Sequence, residues 1–136
     1  MLTACPVVLA DAAWLLALRN DPETIRWSIS GVAVTYEDHA EWFARTITDP
    51  TRALMVVWHT VKITRPVGTY RLDRIGSDQV EVSLTVAPVF RGQGLASQVI
   101  DLAASHAMRE GPESAIALVK RGNTRSLRAF LRAGFL

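Results

Sequence analysis

Residues 79–96 read Gln-Val-Glu-Val-Ser-Leu-Thr-Val-Ala-Pro-Val-Phe-Arg-Gly-Gln-Gly-Leu-Ala. Apolar and polar residues alternate over Val80–Val86, which predicts a β-strand with one buried face. Pro88 ends that strand, and the glycine-rich loop Arg91–Gly94 leads into Gly94–Glu110, whose apolar residues recur with the period of an amphipathic helix. A strand, a glycine loop and a helix therefore follow one another directly, and this unit decides the predicted fold.

The loop between this strand and helix is suited to binding an anion. Glycines tolerate positive φ and let the backbone approach a ligand closely, and the N-terminus of the next helix adds unpaired N–H groups and partial positive charge. The spacing is not that of a Walker loop, which ends in Gly-Lys-Ser/Thr, nor that of the G-x-G-x-x-G dinucleotide motif. The loop therefore predicts a diphosphate held by main-chain amides without lysine or magnesium. A glycine-rich connector that binds nothing is the alternative.

The remaining segments predict an α/β (α+β) fold. The other predicted strands are Val7–Ala10, Ala53–Val61, Val67–Leu72 and Ser114–Val119. The predicted helices are one that begins after Asp11 as N-cap, Glu23–Ser28, Thr35–Thr48, and a last one that opens at Asn123 and stops at Gly134. In that last helix, the spacing of Leu127, Phe130 and Leu131 predicts a buried stripe.

Composition sets limits on the class of protein. The chain has 136 residues, which suits one domain, with 15 Lys and Arg residues against 13 Asp and Glu residues. The apolar fraction of 49% excludes a disordered chain, and the single cysteine, Cys5, excludes an internal disulfide framework. No Cys/His cluster has metal-ligand spacing, and no apolar run is long enough to span a membrane. We therefore expect a metal-free, cytoplasmic enzyme. A nucleic-acid binder using the basic residues of Lys120–Arg132 is disfavoured, because no aromatic platform accompanies them.

Two motifs resemble those of one family in their order and separation. Arg91-x-x-Gly94-x-Ala96 after a strand resembles the R/Q-x-x-G-x-G/A pyrophosphate motif of the GCN5-related N-acetyltransferases (GNAT). Asn123-x-x-Ser126-x-x-x-Phe130-x-x-x-Gly134-Phe135 resembles the family's N-x-x-S/A-x-x-x-Y-x-x-x-G-F signature, with Phe130 in place of tyrosine. The resemblance covers about residues 7–136 and implies a single N-acetyltransferase domain over 1–136. It also implies a mixed, mostly antiparallel central sheet flanked by helices.

The resemblance implies acetyl-CoA as co-substrate, in a slot where the fourth strand and Ser114–Val119 splay apart. The pantetheine amides would bind the exposed main chain of the fourth strand, at Leu84, Thr85 and Val86. The pyrophosphate would lie on the glycine motif and the first turn of its helix, which are Arg91, Gly92, Gln93, Gly94, Leu95, Ala96 and Ser97. The last helix would contribute cofactor contacts from Asn123, Ser126 and Phe130.

The implied chemistry is direct attack of a neutral amine on the thioester. Glu81, on the polar side of the fourth strand, is the candidate base, directly or through water; a structural glutamate is the alternative. Relatives often carry at the Phe130 position a tyrosine that protonates the leaving thiolate, so the acid is unassigned, with Tyr70 or a water as substitutes. An acyl-CoA-binding or assembly module with little transfer is the alternative function. His106, on the apolar stripe of its helix, is expected to pack in the core.

The N-terminal half resembles two branches of the family, which acetylate amino sugars of activated sugar nucleotides and ribosomal-protein N-termini. The residues that carry this resemblance are Arg19-Asn20-Asp21-Pro22, Arg26-Trp27 and Glu37-Asp38-His39-x-x-Trp42-Phe43. It implies that this helical region covers the acceptor amine, with polar contacts from Asn20 and His39 and an apolar wall from Trp27, Trp42 and Phe43. The expected acceptor is an amino-sugar nucleotide or a protein N-terminus, and small amines such as polyamines or antibiotics stay open.

The C-terminus departs from the family pattern. Relatives usually continue past the position of Phe135 with two more strands, whereas this sequence stops at Leu136. We therefore expect the C-terminal strands to be missing, through truncation or because another chain covers the sheet. An open edge near Ser114–Val119 would favour dimerisation or aggregation, so we expect a homodimer or a damaged fold.

Overall fold

Five β-strands form one sheet in the part of the chain that the computed structural model describes, residues 1–61 and 65–136. They are β1 (Leu2–Pro6), β2 (Arg52–His59), β3 (Pro66–Ile75), β4 (Gln79–Val86) and β5 (Ser114–Ile116). Their order in the sheet is their order along the chain. The first four strands pair antiparallel, and β5 pairs parallel to β4. The expected mixed, mostly antiparallel sheet is confirmed.

Helices lie on both faces of this sheet. They are α1 (Ala12–Arg19), α2 (Pro22–Trp27) and α3 (Tyr36–Thr48) between β1 and β2, α4 (Leu95–Arg109) between β4 and β5, and α5 (Thr124–Arg132) after β5. Side-chain caps explain where three of them begin, because Asp21, Thr35 and Asn123 each accept a hydrogen bond from the main-chain N–H three residues on. None of the helices in the described residues is long and apolar enough to cross a membrane.

The sheet separates a large core from a smaller one. On one face, α4 packs against the apolar sides of β3 and β4, in a core that includes Tyr70, Val82, Val99 and Ile100. On the other face, α1 and α3 pack against β2 through Leu15, Phe43 and Leu54. Burying one large apolar side chain contributes about 1.5–3 kcal/mol. Because successive side chains of a strand point to opposite faces, the apolar residues of β4 lie toward α4 and its polar residues lie toward α1 and α3.

The strands β4 and β5 pair over a short stretch only. Gln79–Glu81 pairs with Ser114–Ile116, where β5 ends, while β4 continues to Val86. Beyond Glu81, β4 keeps β3 as its partner on one side and has no strand partner among the described residues on the other side. The expected gap between these strands is present, although β5 is shorter than the predicted segment Ser114–Val119.

The predicted first strand, Val7–Ala10, is wrong. The strand is Leu2–Pro6, which pairs with β2, whereas Val8 and Leu9 are 60% and 78% exposed. Asp11 does not cap α1 with its side chain; its Oδ2 accepts a hydrogen bond from the Val8 N–H at 2.8 Å and closes a short 3₁₀ turn. Pairing with β2 therefore decides the position of the strand, and the local apolar run does not.

The predicted buried stripe of the last helix is also wrong for two of its three members. Leu127 and Leu131 are 49% and 50% exposed, whereas Phe130 is buried together with Ala129. The helix α5 packs against the large core through Ala129 and Phe130. The apolar spacing therefore identified a helix face correctly, but it could not identify which part of that face a neighbouring element covers.

Candidate active site

The loop before α4 has the backbone conformation that an anion cradle requires. Gly92 and Gly94 have φ of 78° and 73°, in the left-handed region that disfavours other residues. A Cβ added to either glycine would meet no atom within 4 Å. The requirement for glycine therefore comes from the backbone conformation and not from crowding, and the space beside the loop is open to a ligand.

A row of main-chain donors follows this loop. In the described parts of the chain, no group accepts a hydrogen bond from the N–H groups of Gly92–Ser97. The first N–H groups of any helix lack intrahelical partners, and the helix N-terminus carries partial positive charge. The side chains here bond within the loop, because the Ser97 hydroxyl donates to Gly94 O and the Gln93 amide donates to Val89 O. Leu95 and Ala96 pack against the large core. The main chain is therefore the part of this segment that can bind an anion.

The free edge of β4 is adjacent to the loop. The Ala87 N–H donates to Val67 O at 2.7 Å, and the alternation of an antiparallel ladder then directs the Thr85 main chain toward β3. A Cβ on Gly68 would collide with the Thr85 carbonyl oxygen, which agrees with that direction. The main-chain groups of Leu84 and Val86 therefore lie on the open edge. Of the three residues predicted to bind pantetheine, Leu84 presents a free N–H and C=O, and Val86 presents a free N–H, because its carbonyl oxygen accepts from Arg91 Nε at 3.0 Å.

The Arg91 side chain is engaged within the protein. Its guanidinium donates to Val86 O at 3.0 Å, to Asp21 Oδ2 at 2.7 Å and to Thr24 Oγ1 at 3.1 Å. Burial acts to raise the pKa of Asp21, but the hydrogen bonds from Arg91 and Thr24 outweigh it, so that this pKa lies below its ordinary value. Arg91 therefore ties the glycine loop to the first turn of α2, and its main-chain N–H donates to Pro88 O at 3.2 Å.

The three predicted residues of the last helix have structural contacts. Asn123 Oδ1 accepts the Ser126 N–H at 3.2 Å and so caps α5. The Phe130 ring is 7% exposed and lies edge-on to Phe135, with 5.0 Å between the ring centroids. The side chains of this helix therefore stabilise its start and its packing, and Phe130 brings no hydroxyl to the site.

Glu81 lies on the polar face of β4, at the position where β5 ends. Its cross-strand neighbour is Asp73, whose carboxylate is bound by Arg71 Nε at 2.9 Å and lies 3.5 Å from Arg52 Nε. The Glu81 carboxylate has no hydrogen-bond or ion-pair partner among the described residues. Two neighbouring carboxylates thus differ: Asp73 is held by arginines, and Glu81 is available for proton transfer. Glu81 had been predicted from its place on the polar side of the fourth strand together with the resemblance to the family.

A cavity of about 480 Å³ lies on the same face, between α1, α3, β3 and β4. Its lining includes His39 and Trp42, whose ring centroids are 5.3 Å apart, and Ser83 of β4. Burial lowers the pKa of His39, and the charge of Arg19 lowers it further. His39 is only 5% exposed, so it lines the cavity as a buried, predominantly neutral imidazole at neutral pH.

The other predicted acceptor residues lie outside this lining. The Asn20 side chain exchanges two hydrogen bonds of 2.8 Å with the main chain of Val34, and so holds a segment that does line the cavity. The Trp27 indole donates to Glu23 at 3.3 Å, and Phe43 is part of the smaller core. Of the five residues predicted for the acceptor region, His39 and Trp42 line the cavity.

Sequence reasoning missed Arg19 and Arg71, which both line the cavity. A signal for Arg71 was present, because Thr69, Arg71 and Asp73 alternate with apolar residues in β3 as the polar residues do in β4. Arg19 ends α1, and the only signal was its place in the quoted motif with Asn20.

Tyr70 and His106 form a separate pair on the α4 face. The Tyr70 hydroxyl lies 2.7 Å from His106 Nδ1, and burial raises the pKa of Tyr70 to about 12. Burial lowers the pKa of His106, and the charge of Arg109 lowers it further, against a smaller opposite effect of Glu110. Because Tyr70 pairs with Leu84, its side chain is on the face opposite to Glu81. This phenol is therefore turned away from the polar face.

Solved structures share this architecture. Spermidine N-acetyltransferase from Vibrio cholerae, in complex with CoA and spermine, is similar with a TM-score of 0.88 and 19% identity, over 99% of this chain and 80% of that one. A domain from Methanocaldococcus jannaschii DSM 2661 is similar with a TM-score of 0.88 and 19% identity, over 100% of this chain and 88% of that one. Aminoglycoside acetyltransferase AAC(6')-Ib in complex with coenzyme A is similar with a TM-score of 0.82 and 16% identity, over 100% of this chain and 84% of that one. At these identities the likeness establishes the fold.

The sequence itself carries the family signal. A search of curated protein sequences finds no match. The family model of the acetyltransferase (GNAT) domain matches residues 2–136, which is nearly the whole chain. This match agrees with the strand, glycine loop and helix unit and with the gap beside β4. The chain therefore belongs to the GNAT family and is an N-acetyltransferase.

Proposed function

We propose that the chain transfers the acetyl group of acetyl-CoA to a primary amine by direct attack. The proposal rests on one continuous surface. An unpaired β4 edge leads into a glycine loop and then into a row of free amides at the start of α4. The pantetheine arm of acetyl-CoA, which is extended and contains amides, matches the β4 edge, and its diphosphate matches the loop and the free amides. Solved relatives with CoA bound support the same co-substrate.

Binding would use the backbone throughout. The N–H and C=O of Leu84 and the N–H of Val86 pair with the pantetheine amides as a missing strand would, and the amides of Gly92–Ser97 hold the pyrophosphate. Thr85 bonds into β3 between these two residues, and Asn123 and Ser126 are proposed to contact the co-substrate from the start of α5. These contacts bind and orient the thioester without needing a lysine or a metal ion.

Glu81 is proposed to take the proton of the attacking amine. The amine nitrogen forms a bond to the carbonyl carbon, the C–S bond breaks, CoA leaves as thiolate, and the ammonium proton passes to the Glu81 carboxylate. Residues two apart on a strand are separated by about 7 Å, so Glu81 acts on an amine beside Ser83 through a water. A free thiol has a pKa of about 8.5, so a thiolate can leave without the phenol that Phe130 lacks.

The cavity on the polar face is the proposed acceptor site. It meets the β4 edge at Leu84 and is walled by α1 and α3, the region expected to cover the acceptor. The named relatives act on amines, spermidine and aminoglycosides. An amino-sugar nucleotide or a protein N-terminus is the acceptor that the N-terminal motifs favour, with His39 as a polar contact and Asn20 holding the wall.

Two measurements on the wild-type protein test this function. Acetyl-CoA at 100 times its Kd should stabilise the fold by about 2.7 kcal/mol, which is a rise in Tm of several degrees. Release of free CoA thiol should then require an added amine. A rise in Tm without thiol release from any amine would instead favour the acyl-CoA-binding module, and no rise in Tm would overturn both functions.

A further inference from the structure

Two arginines in the cavity wall have no role in the function proposed above. Arg19 and Arg71 both line the cavity, and the acidic side chain in the described lining is Asp38, which is exposed. His39 adds no charge at neutral pH, because its pKa is lowered. The wall therefore carries an excess of positive charge, on the face where an acceptor amine has to lie.

The Arg71 guanidinium is fixed in place with its outer edge free. Its Nε donates to both carboxylate oxygens of Asp73, at 3.1 and 2.9 Å, and its Cζ lies 5.6 Å from the ring centroid of Trp42. Nη1 and Nη2 have no hydrogen-bond partner in the residues that the structure describes. Asp73 is also shared with Arg52, at 3.5 Å, so it does not neutralise Arg71 alone. A fixed guanidinium with two free nitrogens is the geometry that binds a carboxylate or phosphate through two parallel bonds.

Arg19 lacks a partner in a different way. Its Nη2 donates to Ser30 Oγ at 3.1 Å, but its Nη1 is shielded from solvent and has no hydrogen-bond partner in residues 1–61 and 65–136. A buried donor left unpaired is unfavourable by about 1–3 kcal/mol, and more when it is charged. An oxygen atom of a ligand in the cavity, reached by a small rotation of the guanidinium, would remove that unfavourable term.

The same cavity connects these arginines to the reacting edge. Arg71 is the cross-strand partner of Ser83, and directly opposite residues have Cα atoms about 4.5–5.5 Å apart. Ser83, Leu84 and Thr85 also line the cavity. One small molecule can therefore place its amine beside the β4 edge and an anionic group against the two guanidiniums.

We propose that the acceptor is an amine that carries an oxyanion, a carboxylate or a phosphate, in the same molecule, and that Arg71 and Arg19 bind this oxyanion. The inference rests on the proposed function, since it describes the acceptor of that reaction. A polycationic amine would place ammonium groups against both guanidiniums, and we expect it to be a poor acceptor.

Matched pairs of amines test the proposal and separate its two sources of oxyanion. Methionine is compared with methionine amide, and glucosamine 6-phosphate with glucosamine, with spermidine as the polycation. The KM from CoA thiol release should be at least about tenfold lower for the anionic member of one pair, as expected for a charge-assisted hydrogen bond. The pair that shows this difference identifies carboxylate or phosphate. Equal KM values within both pairs, or a preference for spermidine, would overturn the proposal and leave acetyl transfer intact.

Two variants assign the effect to the cavity. Arg71→Gln should raise KM for the anionic member about tenfold or more and leave KM for the neutral member unchanged. Arg74→Gln is the control, because Arg74 lies on the same strand, is exposed, and donates to the Glu110 carbonyl oxygen at 3.3 Å. An unchanged rise in Tm with acetyl-CoA shows that each variant is folded. An Arg71→Gln variant that keeps the preference of the wild type would contradict the proposal.

Calorimetry separates failure of this inference from failure of the proposed function. If no amine releases thiol but the anionic member still binds more tightly, and Arg71→Gln removes that difference, the oxyanion site stands and the transferase function falls. If no member of either pair binds and none reacts, the oxyanion site is overturned.

Discussion

The two sides of β4 offer a ligand different kinds of chemical group. On the side of the glycine loop, the groups available to a ligand belong to the main chain: the N–H groups of Leu84, Val86 and Gly92–Ser97 and the carbonyl of Leu84. On the side of α1 and α3, the available groups are side chains, chiefly Arg19, Arg71 and His39. Main-chain groups are the same whatever the side chains, so they can bind the part that all acyl-CoA molecules share. The specificity of a surface made of side chains can change with each substitution. The first side is therefore suited to an invariant co-substrate and the second to a particular acceptor.

The first prediction concerns Glu81, the proposed base, which lies between these two sides. Glu81→Gln keeps the shape of the side chain and removes the carboxylate, so kcat should fall about 10²–10⁴-fold, as for loss of a positioned base. The rise in Tm with acetyl-CoA should stay, because the backbone surface is intact. Asp73→Asn is the comparison variant, because Asp73 is the cross-strand neighbour of Glu81 and its carboxylate is engaged by arginines. If Glu81→Gln retains most of the wild-type kcat, the base is another group.

The second prediction isolates the backbone surface. Gly94→Val should weaken acetyl-CoA binding about 10- to 100-fold, because forcing the loop out of its left-handed conformation costs about 1–3 kcal/mol. Gly111→Val is a matched control, since Gly111 has φ of 83° and equally open space but lies beyond the far end of α4. Both variants should lose similar stability, and Gly94→Val alone should lose affinity by calorimetry. Equal affinities in the two variants would separate the loop from the co-substrate.

The third prediction separates main chain from side chain within the loop. Arg91→Gln breaks the partly buried contacts to Asp21 and Val86 and should lower the free energy of unfolding by about 1–3 kcal/mol. Affinity for acetyl-CoA should change little, because the guanidinium already has partners in the protein. Arg26→Gln, in the exposed ion pair with Glu23, should lower Tm much less, because exposed ion pairs contribute little to stability. A large loss of affinity with an unchanged Tm in Arg91→Gln would mean that the guanidinium contacts phosphate.

The smallest effect is expected from two imidazoles, the buried His39 on one face and the partly buried His106 on the other. The pKa values of His39 and His106 are lowered in the folded protein, from an ordinary value of 6.5, so the unfolded chain binds more protons just below pH 6.5. Their contribution to stability is present above that pH and is lost as the pH falls below it. Tm scans should therefore decline more gently below pH 6.5 in His39→Gln and in His106→Gln than in the wild type. An unchanged decline in both would show that other groups control acid stability.

Features set by local sequence were predicted well. The alternation along Val80–Val86 and the glycines of Arg91–Gly94 determine backbone conformation within a few residues, so the strand, the loop and the face of Glu81 followed directly. Two of the three partners of the Arg91 side chain lie 67 and 70 residues earlier in the chain, and no local pattern connects them to Arg91. For the same reason the sequence could not show that Asn20 would be held by Val34.

Errors arose where a distant element decides the outcome. The strand Leu2–Pro6 is less apolar than Val7–Ala10, yet it forms because β2 pairs with it. Leu127 and Leu131 have the spacing of buried residues, but the packing of α5 leaves both half-exposed. The cavity arginines belong to the same class, because two strands and two helices must assemble before Arg19 and Arg71 share one wall.

The most direct test of the backbone surface is amide chemical-shift mapping with ¹⁵N-labelled protein and acetyl-CoA. We predict that the largest shifts fall on the N–H groups of Gly92–Ser97 and on those of Leu84 and Val86, with Thr85, bonded into β3, shifting less. Largest shifts around Tyr70 and His106 on the α4 face, with the Gly92–Ser97 amides unmoved, would contradict the account.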